Sequence, residues 1–105
     1  MQDSEDALRG SGRTTAQILA APPGATFVWC NRYIEYPRDL AAFWGRDDLQ
    51  IVGIHWLTNQ HNYMGREAPS AVVIDHHAHD VMDERERLHL LYLKDRMQRA
   101  GRPVL

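Results

Sequence analysis

With one cysteine, Cys30, in 105 residues, the chain cannot form an internal disulfide. That excludes the stapled class of small secreted domains and fits a reducing, cytoplasmic location. Long hydrophobic runs are also missing. No stretch approaches the roughly 20 apolar residues that a membrane-crossing helix needs, so no membrane partner is expected. The leading segment, Met1 to Arg9, is acidic and polar and has no apolar centre of signal-peptide type. Residues 1–8 read as a frayed lead. Charge of one sign is lacking too: 12 Lys and Arg against 14 Asp and Glu leave a net charge of −2, mixed along the chain. Nucleic-acid binding calls for a basic patch or stripe, so no nucleic-acid partner is expected. Internal repeats and low-complexity tracts are absent.

What is present is ordinary for a globular domain: 44% apolar and 25% charged residues. This length carries one core, so residues 1–105 are read as a single α/β domain. Thr14 to Ala21 reads as a helix, with Thr14 and Gln17 spaced as a capping box, and Pro22-Pro23-Gly24 ends it. Ala25 to Cys30 reads as a buried strand and Arg38 to Trp44 as a two-turn helix. Leu49 to Trp56 follows as a second strand, and Thr58 to Pro69 as a loop. Ser70 to Asp75 is the clearest strand. Val81 to Ala100 is the longest helix, with Leu90, Leu93, Met97 and Ala100 on one stripe, widened by Leu88 and Leu91. Asp83 with Arg87 and Asp95 with Arg99 stand at i,i+4, as on a solvated, ion-paired face. Three apolar strands separated by crossovers predict a three-layer domain around a small, three-stranded, mainly parallel sheet.

Two short motifs carry phosphate chemistry. In Gly10-Ser11-Gly12-Arg13-Thr14-Thr15, glycines free backbone N–H groups to face phosphate, and a helix start adds its positive end. In Val72-Val73-Ile74-Asp75, a strand delivers a carboxylate to its carboxyl end, where it can organise Mg²⁺. Together with the strand Phe27-Val28-Trp29, these resemble small P-loop-type proteins of bacteriophage and prophage genomes. The resemblance implies that Gly12, Arg13 and Thr14 contact phosphate, that Asp75 organises metal, and that the ligand is ATP or GTP with Mg²⁺. Ala7 and Arg13 stand where the pattern G-x-x-x-x-G-K-[ST] has glycine and lysine. His76 stands where a catalytic glutamate would follow Asp75. Little or no hydrolysis is therefore expected.

Asp75-His76-His77-Ala78-His79-Asp80 packs five metal-ligand side chains into six positions. Ile74-Asp75-His76-His77 is similar to the DHH motif of the phosphoesterases named for it. Those enzymes need a further upstream cluster and a second domain, which this chain does not carry. Alternation along a strand sends neighbouring side chains to opposite faces, so two or three of the five can converge, and no stoichiometric structural metal is expected.

The leading expectation is a degenerate P-loop-like accessory protein that binds a phosphate-bearing ligand, a protein partner, or both. A metal-dependent phosphoesterase using Asp75, His76, His77, His79 and Asp80 is one alternative. A pure protein-interaction module is another. The ligand is placed outside the carboxyl ends of the strands, among Cys30-Asn31-Arg32, His55-Trp56 and Asp75-His76-His77. Trp29, Trp44 and Trp56 are assigned to the core and Cys30 to an inert buried thiol. Two open sheet edges and a long helix favour a homodimer.

Overall fold

The computed structural model describes residues 12–105. The elements in chain order are α1 (Arg13–Ala20), β1 (Thr26–Val28), α2 (Glu35–Phe43), β2 (Gln50–Val52), β3 (Val72–Ile74), α3 (His76–Val81) and α4 (Glu84–Arg99). Two 3-10 turns, Ile54–Thr58 and Gln60–Asn62, lie between β2 and β3. The strands run in the order β2-β1-β3. Both pairings are parallel, with Phe27 opposite Ile51 on one side and Val73 on the other. The expected small parallel sheet is therefore present.

Alternation along the strands builds one core on each face. Phe27, Ile51 and Val73 pack with Ile18 of α1 and Ala41 of α2. Val28, Val72 and Ile74 pack with Ile54 and Leu57 of the first 3-10 turn, Ala78 of α3, and Leu90, Leu93 and Met97 of α4. No helix among the described residues is long and apolar enough to cross a membrane.

Several boundaries differ from those expected. The second strand ends at Val52, not Trp56, because the chain turns at Gly53. A Cβ there would lie 2.7 Å from the carbonyl oxygen of Asn31, so the loops leaving β1 and β2 touch through this glycine. Helix α2 begins at Glu35 and carries Pro37 in its first turn, where a missing N–H costs nothing. His76–Val81 is a helix of its own, capped by Asp75. The cap of α4 is then Asp83, in a reciprocal box with Glu86. Leu88 and Leu91 are 46% and 60% exposed. They sit about 200° around the helix from Leu90 and Leu93 respectively, on its outer side. Trp44 is also largely exposed, while Trp29 is buried. Asp95 pairs with Arg99 at 3.1 Å.

The two sheet edges are not equivalent. The tail Pro103–Leu105 runs along the outer edge of β3: Val72 N–H donates to Pro103 O, Ile74 N–H to Leu105 O, and Leu105 N–H to Val72 O. Arg102 anchors this tail by donating to the carbonyl of Ala68. Instead of two open edges, the described residues leave one, that of β2. Asn59 to Met64 turns inward through Tyr63, which is fully buried in the α4-side core and donates to Leu57 O at 2.6 Å.

Candidate functional site

The polar centre of the molecule lies where α1 begins and β3 ends. Gly12, with φ at +92°, occupies the N-cap position of α1, a backbone state that favours glycine. Thr14 is the second residue of the helix and does not cap it. Its hydroxyl turns inward and donates to Asp75 Oδ1 at 3.0 Å across 61 residues of sequence. Both partners are buried, Thr14 at 1% exposure and Asp75 at 0%. The expected capping box is therefore absent. Thr14 and Gln17 share a helix face, and that face looks at β3.

Gln17 is the residue that sequence reasoning misassigned. Its Nε2 donates to Ile74 O at 2.8 Å, and its Oε1 accepts from the backbone N–H of His76 at 2.9 Å. These two backbone partners fix which end of the amide is which. The same Oε1 lies 3.0 Å from His76 Nδ1, so Nδ1 carries the proton. Asp75 Oδ2 accepts from the N–H of His77 at 2.9 Å and so caps α3. His76 Nδ1 lies 3.6 Å from Asp75 Oδ1. Burial pushes the His76 imidazole below its usual pKa, against the opposite pull of the Asp75 carboxylate. With Nδ1 protonated, the lone pair sits on Nε2. That atom is buried and has no hydrogen-bond partner among the described residues.

The His77 ring lies against that of His76, tilted by 38° with centroids 4.0 Å apart, and meets Trp29 edge-on at 6.3 Å. One ligand atom from each of Asp75, His76 and His77 falls within 4.8 Å of the others. His79 and Asp80, the rest of the run, are exposed on α3 and outside this group. His55 and His61 are exposed on the 3-10 turns. Burial, with Asp75 nearby, pushes the Cys30 thiol up in pKa, which keeps it protonated and poorly nucleophilic.

Of the phosphate-loop residues, Arg13 is exposed and Thr15 half-buried. Gly10 and Ser11 lie outside the described residues, as do Ala7 and the 1–8 lead. Arg13, Ala16, Gln17 and His76 line an open cavity of about 340 Å³. The chain matches no family model, no curated protein and no solved structure.

Proposed function

We propose that the chain is a binding protein for a phosphate-bearing ligand, on a P-loop-like plan, with little or no nucleotide hydrolysis. The observation behind this reading is the buried Thr14–Asp75 hydrogen bond. It draws the hydroxyl that follows the glycine loop to the carboxylate that ends β3. The start of α1, with Arg13, then stands at the carboxyl ends of the parallel strands, where ligands of open sheets gather. An anion there meets the helix's positive end and a guanidinium that can hold phosphate through a fork of donors.

The same bond argues against turnover. In a hydrolase of this plan the hydroxyl and carboxylate share Mg²⁺. Here the Thr14 hydroxyl is buried and donates to the carboxylate instead of facing a nucleotide-bound ion. ATP and GTP with Mg²⁺ are thus expected as weak ligands.

Calorimetry with ADP, ATP and inorganic phosphate, first metal-free and then with Mg²⁺, tests the reading beside a phosphate-release assay. The expected outcome is millimolar binding that Arg13→Ala weakens, without detectable turnover. Absence of binding at millimolar nucleotide and phosphate would sink the phosphate reading. Robust turnover abolished by Asp75→Ala would overturn the claim of little hydrolysis.

A further inference from the structure

We infer that Asp75, His76 and His77 form a three-donor site for a divalent transition-metal ion of the zinc class, with Gln17 as its positioning residue. The inference stands on its own observations and does not require the phosphate reading. The strand ends at Ile74 and the helix starts at His76, so the alternation that would separate neighbouring side chains stops before the histidines. The turn instead brings one ligand-type atom of each residue, either ring nitrogen of a histidine counting, within 4.8 Å of the others. Two imidazoles and a carboxylate are a donor set that zinc accepts, with a fourth position left for water or an anion. Bonds of about 2.0–2.1 Å put tetrahedral ligand atoms ~3.3 Å apart. Closing the site from its present spacing takes about an ångström of side-chain movement or more.

The tautomer is the second observation. A metal-binding imidazole usually donates its other ring N–H to an acceptor that holds it in place. Gln17 Oε1 is such an acceptor for His76 Nδ1, and its own orientation is locked by Ile74 O and the His76 N–H. The nitrogen left over, His76 Nε2, is the buried one without a partner among the described residues. A buried acceptor normally has a hydrogen-bond partner, and a metal ion answers that need for a lone pair. The other such atom among the described residues, His89 Nδ1, has no gathering of ligand side chains around it. The carboxylate adds to the case. Asp75 is fully buried, and among the described residues its oxygens meet the Thr14 hydroxyl, the His77 N–H and, at 3.6 Å, His76 Nδ1, but no Lys or Arg. Two carboxylate oxygens offer about four lone-pair positions, so these bonds leave room for a metal ion.

The test uses the full chain, stripped with a chelator and titrated with Zn²⁺ by calorimetry and with Co²⁺ by visible absorption. One ion per chain is expected, in wild type and in Cys30→Ser alike. His76→Ala and His77→Ala should each weaken binding at least tenfold, and His61→Ala, on an exposed turn, should leave it unchanged. Gln17→Ala should weaken it about tenfold, the lower end for loss of an outer-shell partner. In that variant the ¹⁵N shifts of the His76 ring should also lose the Nδ1–H signature, which a purely structural role for Gln17 would not alter. Circular dichroism identifies any variant that fails to fold, and His77→Ala, which keeps the Asp75 cap, carries the test if Asp75 or His76 variants do. No binding to folded wild type, or binding unchanged in both histidine variants, overturns the site.

Discussion

Helix α1 is tied down at both ends by polar side chains from distant parts of the chain, and the two knots close to different degrees. At the C-terminal end Arg46 uses all three guanidinium nitrogens. It donates to Ile18 O at 2.7 Å, to Leu19 O at 3.2 Å, to Ala21 O at 2.9 Å, and to both oxygens of Asp48 at 3.0 Å. Asp48 also accepts from Gly24 N–H at 2.8 Å. The last carbonyls of a helix have no intrahelical partner, and this guanidinium supplies one. At the N-terminal end Thr14, Gln17, Asp75 and His76 interlock, yet one ring nitrogen is left out. A network selected only to hold a helix has every reason to close, as the Arg46 knot does. The open knot is the one where residues serve something besides stability.

Changes at Asp75 should break this contrast with the largest effect. Asp75→Ala removes the cap of α3, worth about 1 kcal/mol. It also strands the buried Thr14 hydroxyl, worth about 1–3 kcal/mol. A total loss of roughly 2–4 kcal/mol is expected by urea denaturation. Asp75→Asn should behave otherwise. Its amide oxygen can still cap His77 and its NH₂ can donate to the Thr14 hydroxyl. Metal-free stability should then stay within about 1 kcal/mol of wild type, while Zn²⁺ affinity falls. If Asp75→Asn is as damaging as Asp75→Ala, the carboxylate charge serves the fold and the contrast between the knots fails.

The closed knot gives a smaller, purely structural effect. Arg46→Ala takes the guanidinium away from the carbonyls of Ile18, Leu19 and Ala21 at the end of α1, a partly buried surface. Charge-assisted hydrogen bonds contribute about 1.5–3 kcal/mol, and water recovers part of that here, so a loss of about 2 kcal/mol is expected. Arg46→Lys should recover less than half, because an ammonium cannot fork across helix carbonyls and a carboxylate together. Zn²⁺ and phosphate affinities should not move in either variant. A fall in Zn²⁺ affinity with stability corrected for would mean the two knots are coupled through α1.

How much of this could be read from the residues depended on whether a signal was local. Ala25 to Cys30, Leu49 to Val52 and Ser70 to Asp75 are apolar runs bounded by turn residues, and such runs declare themselves as buried strands. The parallel sheet followed from them. The His76–Val81 helix did not declare itself. It buries only Ala78, so it has no apolar period, and its start depends on Asp75 acting as a cap. Tyr63 sits in a polar stretch that looks like a loop, and its burial comes from packing under α4. On α4 the buried face is narrower than the leucine count suggests, because Leu88 and Leu91 were counted by residue type and not by angle. At the site, Asp75 and Thr14 were each legible as short motifs, but their contact spans the chain. Gln17 matched a capping box one turn into α1, and nothing local revealed that its partners lie on β3 and α3.

The smallest expected effect concerns pH and bears on the closed knot alone. The hydrogen bonds from Arg46, with the Gly24 N–H, hold the Asp48 carboxyl well below the usual carboxylate range. The folded chain therefore binds fewer protons at this group than the unfolded chain does once pH drops toward the ordinary value of about 3.8. The contribution is complete above that value and is lost as pH falls through the lower folded-state pKa. Asp48 is exposed, so solvent and salt screen the pair and its energetic share is small. The measurement is the stability difference between wild type and Arg46→Ala, from about pH 6 to about pH 2. That difference should be constant down to about pH 4 and shrink below it, and added salt should shrink it at every pH. A difference that stays constant throughout would assign the whole effect of Arg46 to the helix carbonyls, with Asp48 a bystander.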